Sequence, residues 1–212
     1  MSEFETRLSR RQCFSTLAAT AAAVGTLCAQ QPAEKNIRAI TRFYVKPERV
    51  GDFPSIIKEY LPVFSKAGHK VASSWWRSET GPGQFVVVAN HAKWSEVDNA
   101  GALKEVAAEL APLRARTRQC LERMDRIFDV IVPECSIRSS NPELPSLVSV
   151  SRRRIRPEHI DDYIQAVKTE IVPAMKKAEI RMSLLSRTVF GEPGPVYRRT
   201  TPVKSWAASG SR

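Results

Sequence analysis

Hydrophobic residues that recur every three or four positions predict two amphipathic helices of similar design. Each helix follows a β-branched stretch, Ile37 to Val45 or Leu147 to Ile155, that is typical of a strand. A proline falls inside each helical stripe, at Pro62 and at Pro173, and predicts a kink there. The stripes are Val50, Phe53, Ile56, Ile57, Tyr60, Leu61 and Phe64 in the first helix, and Ile160, Tyr163, Ile164, Val167, Ile171 and Met175 in the second.

The two strand–helix pairs belong to an internal duplication. Val45 to Phe53 matches Ile155 to Tyr163 at a constant spacing of 110 residues, and the spacing grows to 111 at the two prolines. It reaches 112 at Trp94 and Trp206, as expected if single residues are inserted at turns between the elements. The order predicted for the first copy is β-α-β-β-α-β, the ferredoxin-like unit.

The remaining predicted elements are two more strands in each copy and, in the first copy alone, a final helix and strand. The strands span about His69 to Arg77, Phe85 to Asn90, Arg181 to Val189 and Val196 to Thr201. The final helix spans Ser95 to Met124, broken or kinked at Pro112, and the final strand spans Phe128 to Val132.

These elements predict an α+β protein made of tandem ferredoxin-like units that pair into one barrel-like body. The first unit spans residues 30–137, the linker 138–146 and the second unit 147–206. The second unit is incomplete, because it lacks the last helix and the last strand, and we expect it to fold only when docked on the first. Residues 207–212 are expected to form a disordered tail.

Residues 1–29 have the layout of an export signal. Arg7, Arg10 and Arg11 precede an uncharged stretch, Thr16 to Ala29, which is shorter than the about 20 residues that span a bilayer. The string from Ser9 to Phe14 resembles a twin-arginine motif, with Arg10 and Arg11 as the pair and Cys13 where Phe is usual. This resemblance implies transport by the twin-arginine machinery to the periplasm or beyond. The alternative is an N-terminal helix of a cytosolic protein.

The net charge narrows the classes of molecule that the protein can bind, and the cysteine content bears on disulfides and metal sites. Removing residues 1–29 takes three basic and two acidic residues from totals of 33 and 22, which leaves a net charge of +10. A basic domain suggests nucleic acid, but no zinc finger or RNA-binding motif is present, so we expect none. A small anion, a lipid headgroup or a cell-wall polymer fits an exported protein better, and solvated surface charge is the alternative. Cys120 and Cys135 could pair after export, and no metal site is expected.

The chain resembles the dimeric α/β-barrel superfamily, and most of all its NIPSNAP-like and antibiotic-biosynthesis-monooxygenase-like members. The resemblance is carried by the strand ends Val45-Lys46-Pro47 and Ile155-Arg156-Pro157, by the helices after them, and by Trp94. It implies a barrel of paired sheets and a homodimer as a further expectation. Members include cofactor-independent oxygenases, haem-handling proteins, isomerases and proteins without known activity, so the fold alone does not assign a function.

Strand alternation gives candidate site residues. Phe43 and Val45 are expected to face the helices, which leaves Arg42 and Tyr44 toward the barrel. An inward arginine could hold an anion, although it could equally reach the rim or pair with a carboxylate. The candidate ligand-binding residues are Arg42, Tyr44, Trp75 and Asn90, and the candidate catalytic residues are His69 and His91, which could instead be surface residues at strand ends.

Two arginine runs do not fit an apolar core. Alternation places Arg153 on the face that Phe43 occupies in the first copy, where burial of an unpaired guanidinium is costly. Arg198 and Arg199 likewise fall in a strand expected to be apolar, which a frameshift or truncation relative to longer relatives could explain. We therefore expect the sheet of the second copy to be open to water on this face.

The sequence supports two functions and leaves open whether the protein is an enzyme. The first is an exported protein of unknown activity whose barrel binds, without a cofactor, either a small ligand, for example an anion, or another subunit. The alternative is a cofactor-independent monooxygenase-like enzyme that acts on a small aromatic or carbonyl compound, with His69 or His91 as the base.

Overall fold

The computed structural model describes residues 6–9, 37–68, 73–79, 84–98, 103–138 and 145–203. The predicted twin-arginine pair, the cleavage site, the linker centre and the tail at 207–212 lie outside the described residues. So do His69 and Trp206. Of residues 1–36, the structure describes one short strand, β1 (Thr6–Ser9).

The first unit contains all the elements of a ferredoxin-like unit. Its strands and helices are β2 (Ile37–Val45), α1 (Phe53–Lys66), β3 (Ser73–Ser78), β4 (Gln84–His91), α2 (Trp94–Asp98), α3 (Ala107–Cys120) and β5 (Leu121–Ile131). A short 3₁₀ turn, Pro47–Arg49, leads into α1, and a second, Pro133–Cys135, follows β5.

The end of the first unit differs from the prediction. The helix expected from Ser95 to Met124 is two helices, α2 and α3, and it ends at Cys120. Leu121 to Met124 belong to β5, which is longer than the predicted strand and ends at Ile131. The error has a physical cause: Arg123 and Met124 are exposed on the strand, so the segment shows no alternation that separates it from a polar helix.

The second unit repeats the first half of this plan. It comprises β6 (Leu147–Arg154), the 3₁₀ turn Pro157–His159, α4 (Ile160–Ala166), a π-helical segment (Val167–Ile171), α5 (Val172–Lys177), β7 (Leu184–Phe190) and β8 (Val196–Pro202). Residues 160–177 run as one helix through α4, the π segment and α5.

The π segment explains how the two copies drift apart in spacing. Between the matched pairs Phe53/Tyr163 and Pro62/Pro173 the second copy has one extra residue, and the π segment lies in this interval. A π turn accommodates a single inserted residue within a helix. The first extra residue of the second copy therefore lies inside a helix, whereas the sequence suggested an insertion at a turn.

The strands close into one barrel in the order β1-β3-β4-β2-β5-β7-β8-β6. The two units meet where β5 pairs with β7, with Asp129 opposite Thr188. Gly191 directly follows β7 and has φ +90°, and a Cβ there would lie 2.3 Å from the carbonyl oxygen of Arg126, so the position requires glycine.

Side chains fill the barrel interior. An apolar cluster occupies one part of it, and partly buried Val150 packs against the cluster, whose members are Ile40, Trp76, Val86, Val88, Ile127 and Val148. Two further clusters lie outside the barrel, one between the first sheet and α1, the other between the second sheet and residues 160–177. Cys120 and Cys135 are buried in these two separate clusters and are free thiols, so they do not pair.

Candidate functional site

The register of the sheets defines which residues of the two units are equivalent. Phe43 of β2 lies opposite Phe85 of β4, and at the equivalent place Arg153 of β6 lies opposite Tyr197 of β8. Two residues earlier along the first strand, Thr41 lies opposite Val87, whereas Ser151 lies opposite Arg199. Phe53 at the start of α1 corresponds to Tyr163.

In the first unit Phe43 and Phe85 lie on the side of the sheet that faces α1, and this helix-facing side is an aromatic core. The rings of Phe43 and Phe53 have centroids 5.5 Å apart, and those of Phe53 and Phe85 are 5.0 Å apart. Trp75 stacks on Phe43 at 5.8 Å. Phe53 is fully buried. These rings belong to one apolar cluster between the sheet and α1.

In the second unit the same positions carry polar groups around a cavity. The rings of Tyr163 and Tyr197 keep the aromatic contact, with centroids 5.2 Å apart. Arginine replaces Phe43 and Val87, as Arg153 and Arg199. The cavity measures about 110 Å³, and its lining is Ser151, Arg153, Tyr163, Ile171, Met175, Tyr197 and Arg199. We call it the polar pocket. Its lining contains two guanidinium groups and no carboxylate.

Arg199 lines the pocket and has one buried donor without an acceptor among the described residues. Its Nη1 donates hydrogen bonds to Ser183 Oγ at 3.0 Å and to the Cys135 carbonyl oxygen at 3.4 Å. Its Nη2 is buried, and among the described residues no acceptor reaches it. Burial lowers the pKa of this guanidinium below its ordinary value, while nearby Tyr163 opposes the shift. A buried donor without an acceptor is costly, and an anion in the pocket would satisfy it.

The two tyrosines give the pocket hydroxyl groups. Burial raises the pKa of Tyr163 above its ordinary value, and the charge of Arg153 opposes that shift. Burial also raises the pKa of Tyr197, against the charge of Arg187. Both phenols are therefore neutral at physiological pH and can donate a hydrogen bond to an anion.

An apolar groove continues from the polar pocket and shares Ile171 and Met175 with it. The groove measures about 460 Å³ and is lined by Glu170, Ile171, Ala174, Met175, Ala178 and Ile180. Counted from the aligned prolines, Ile171 and Glu170 correspond to Tyr60 and Glu59 of α1.

The groove lies where a second helix packs in the first unit. Tyr60 hydrogen-bonds Thr117 of α3 at 2.9 Å, and Glu59 forms an ion pair with Arg116 of α3 at 2.6 Å. Within residues 145–203 no helix takes the place of α3. In this described range both the groove and one side of the polar pocket are therefore accessible.

The predicted barrel residues Arg42 and Tyr44 are at the rim of the barrel. Arg42 forms an ion pair with Asp125 on β5 at 3.3 Å, and about a quarter of each side chain is exposed (23 % and 28 %). The guanidinium carbon of Arg123 lies 4.0 Å from the centroid of the Tyr44 ring. The expected strand faces are observed, because Ile40 packs inside the barrel and Phe43 packs against α1. Arg42, however, already has a carboxylate partner.

The other predicted site residues do not come together with Arg42 and Tyr44. Trp75 packs on the helix side against Phe43, and its neighbour Trp76 is the one that faces the interior. His91 is buried at the end of β4, on the alternate face from exposed Asn90. Since His69 lies outside the described residues, the predicted His69–His91 pair remains a prediction. The described residues contain no cluster of His, Cys, Asp or Glu that could hold a metal ion.

A buried ion-pair network inside the barrel was missed by the sequence analysis. Asp129 of β5 accepts hydrogen bonds from Ser186 and Thr188 of β7, each at 2.8 Å, and from Arg198 of β8 at 2.9 Å. Arg198 also pairs with Glu192, which Arg152 contacts at 2.7 Å. The network explains the arginines of β8 in part: Arg198 is a structural residue inside the barrel, whereas Arg199 points the other way, into the polar pocket.

The signal for the pocket was present in the sequence. Alternation had placed Arg153 on a face expected to be apolar, and the same reasoning applies to Arg199. What the sequence could not show is that the two arginines meet, since that depends on the register between β6 and β8.

Comparison with known proteins supports the fold. Two solved structures described as "putative monooxygenase" have TM-scores of 0.56: one from Fusobacterium nucleatum subsp. nucleatum ATCC 25586 (12% identity) and one from Lactobacillus acidophilus NCFM (9%), each aligned over 84% of this chain and 80% of its own. An "anthrone oxidase-like protein" has a TM-score of 0.55 at 12% identity, over 84% of this chain and 77% of its own. No protein-family model and no curated protein matches the chain.

These similarities and the closed barrel of two related units confirm the predicted α+β architecture, in which tandem units form one barrel-like body. At identities of 9–12% they define the architecture and not the chemistry. In the part of the chain that the structure describes, no helix combines the length and the apolar character needed to cross a membrane.

Proposed function

We propose that the protein binds a small organic anion, with the anionic group in the polar pocket and an apolar body in the adjoining groove. The observation that carries this proposal is the replacement of Phe43 and Val87 of the first unit by Arg153 and Arg199 in the second. Two guanidinium groups and two neutral phenols surround a cavity without a carboxylate in its lining. Such a set attracts a carboxylate, a phenolate or an enolate, which charge-assisted hydrogen bonds would hold.

The size of the two spaces sets the class of ligand. The polar pocket alone, at about 110 Å³, has room for a carboxylate or an oxygenated ring edge. The groove is larger, about 460 Å³, and five of its six lining residues are aliphatic or methionine. A monocarboxylate with an aromatic ring or a short alkyl chain would use both, whereas inorganic phosphate would use only the first.

Benzoate and octanoate are suitable probes. The test compares the wild-type chain with Arg199→Gln and with Arg154→Gln. The second variant is a matched control that removes the same charge from an exposed residue at the end of β6. We expect Arg199→Gln to weaken binding of both carboxylates at least tenfold in isothermal titration calorimetry, and Arg154→Gln to leave it unchanged. Equal weakening by both variants would show that the net positive charge, and not the pocket, attracts the anion.

A second candidate function is oxidation of the bound compound without a cofactor. The names of the structural neighbours favour it, and the pocket itself offers cationic groups that would stabilise an enolate or phenolate formed from a carbonyl compound. Oxygen uptake in the presence of anthrone, lost in Arg199→Gln and retained in Arg154→Gln, would support this activity. Tight carboxylate binding without oxygen uptake would support anion binding and contradict the oxidation of the bound compound.

We further propose that the protein acts after export from the cytoplasm. This proposal comes from the sequence of residues 1–29 and is independent of the pocket. Replacement of Arg10 and Arg11 by lysine is expected to keep the precursor in the cytoplasm, because the arginine pair serves as an address. Cell fractionation measures the effect, and export of the double-lysine variant at the wild-type level would contradict the assignment.

A further inference from the structure

The barrel closes on one side through a strand from outside both repeated units. On the other side the units pair directly, β5 with β7. On this side β3 and β6 do not pair with each other, and β1 lies between them. Leu8 and Ser9 of β1 lie opposite Ser78 and Arg77 of β3, and the whole of β1 pairs with β6, from Thr6 opposite Val150 to Ser9 opposite Leu147.

The position of β1 is that of a fourth strand of the second unit. In the first unit the fourth strand, β5, is antiparallel to the first strand, β2, and also pairs with β7 of the other unit. In the same way β1 is antiparallel to β6, the counterpart of β2, and pairs with β3, the counterpart of β7. Among the described residues the second unit itself supplies three strands, and β1 occupies the position that corresponds to the fourth.

This strand belongs to the segment that the sequence predicts to be removed. Thr6 to Ser9 ends immediately before Arg10 and Arg11, and all of it precedes the expected cleavage after residue 29. Loss of residues 1–29 would leave Arg77 and Ser78 on the β3 edge and four positions of the β6 edge without their backbone partner. Unpaired strand edges of this kind readily accept another strand.

We infer that the gap between β3 and β6 is a binding site for the chain's own N-terminal segment, which completes the barrel while it is attached and opens an acceptor groove when it is removed. We call this gap the strand slot. The inference does not depend on the polar pocket, which lies on the helix side of the second unit. It gives residues 6–9 a structural role in addition to the export role proposed for the segment that contains them.

A cysteine cross-link in the full-length chain tests the docked state. Arg7 and Ser149 are opposite residues, so Arg7→Cys with Ser149→Cys is within disulfide reach, after Cys13 and Cys28 are changed to serine. The control pair is Arg7→Cys with Arg153→Cys, on the same strand but about 13 Å farther along it. We expect the first pair to form an intramolecular disulfide at least tenfold faster than the control. Equal rates, or cross-linked dimers in place of monomers, would overturn the inference.

A second experiment tests whether removal of the segment opens the slot. A protease site placed among residues 30–36 of the full-length, folded chain allows the N-terminal segment to be cut off and separated. Hydrogen exchange is then expected to accelerate at least tenfold at Arg77 and Ser78 of β3 and in Leu147–Val150 of β6, the positions that pair with β1. It should stay unchanged in Ile37–Val45, which has paired strands on both sides.

Addition of a synthetic peptide of residues 1–12 should restore the protection, and a Leu8→Pro peptide should not, because proline lacks the amide donor and disfavours a paired strand. Unchanged exchange at β6 after cleavage would overturn the inference. A uniform loss of protection that includes β2 would also overturn it, since the segment would then hold the whole barrel and not one slot.

Discussion

The two repeated units share one plan but use the space between sheet and helix in opposite ways. In the first unit Phe43, Phe53 and Phe85 pack into an aromatic core that α1 and α3 cover. In the second unit Arg153, Tyr163 and Tyr197 occupy the same places, and within residues 145–203 one helix covers them. A duplicated unit with a partner to dock on can therefore lose apolar packing and gain polar groups without losing the barrel.

The difference in covering helices explains why the arginines are tolerated. In a closed core a guanidinium would lose its hydration without compensation. Beside the helix at residues 160–177 Arg153 stays exposed, and Arg199 has some but not all of its donors satisfied. In the part of the chain that the structure describes, the polar pocket lies where the second copy has no counterpart of α3.

The largest expected effect is a difference in the free energy of unfolding that a ring contributes on the helix-facing side of each unit. Phe53→Ala removes a fully buried ring and is expected to lower the free energy of unfolding by about 3–5 kcal/mol. Tyr163→Ala removes the equivalent, partly exposed ring and is expected to cost less than half as much, about 1–2 kcal/mol. Urea denaturation of the two variants measures the difference. Equal losses would mean that the second unit has a core as tightly packed as the first.

A somewhat smaller effect is expected where the units join. Asp129→Asn keeps the size of a completely buried side chain but removes the charge that faces Arg198 and, through the barrel, buried Arg38. Breaking a buried pair from one side leaves the other charge uncompensated, so we expect a loss of about 3 kcal/mol. Asp125→Asn is the matched control at the rim, where the ion pair with Arg42 is partly exposed and contributes little. Denaturation midpoints that fall equally in both variants would contradict this role of Asp129.

Much of the fold could be predicted because the duplication doubled each signal. The strand Ile37–Val45 was predicted with its observed bounds, and the helix stripes of both copies pack against their sheets as expected. The prediction failed in Leu121–Met124, because these four residues fit the pattern of a polar helix and that of a strand equally well. The role of Thr6–Ser9 could not be predicted, because four residues with no hydrophobic alternation carry no strand signal.

The site was harder to predict than the fold. Sequence reasoning looked for a ligand inside the barrel, and there Ile40, Trp76 and Ile127 are packed together. It noted Arg153 as out of place but treated the misfit as a packing problem. A comparison of the two copies position by position, with each substitution of an aromatic residue by arginine or tyrosine marked, would have pointed to Arg153, Tyr163 and Tyr197.

Converting the second unit toward the first provides a sharper test of the comparison. Arg153→Phe restores the residue of the first copy and fills part of the polar pocket beside Tyr163 and Tyr197. We expect it to abolish benzoate binding while raising the free energy of unfolding by about 1 kcal/mol, as cavity-filling substitutions do. Calorimetry and urea denaturation measure the two effects. A variant that still binds benzoate as the wild type does would place the ligand elsewhere.

The smallest expected effect concerns alkaline pH and again separates the two units. Burial raises the pKa of Tyr197 in the folded chain, whereas in the unfolded chain the phenol titrates near its ordinary value of about 10. The folded state therefore holds this proton more tightly. Its contribution to stability is fully present below pH of about 10 and is lost as the pH rises through the folded pKa.

The equivalent residue of the first unit, Phe85, has no proton to lose. We expect the stability of the wild-type chain to fall more steeply above pH 10 than that of Tyr197→Phe, whereas Phe85→Leu, which changes packing alone, should lower stability equally at pH 8 and pH 10.5. Urea denaturation at a series of pH values checks this, and parallel curves for the wild type and Tyr197→Phe would show that the phenol titrates alike in the folded and unfolded chain.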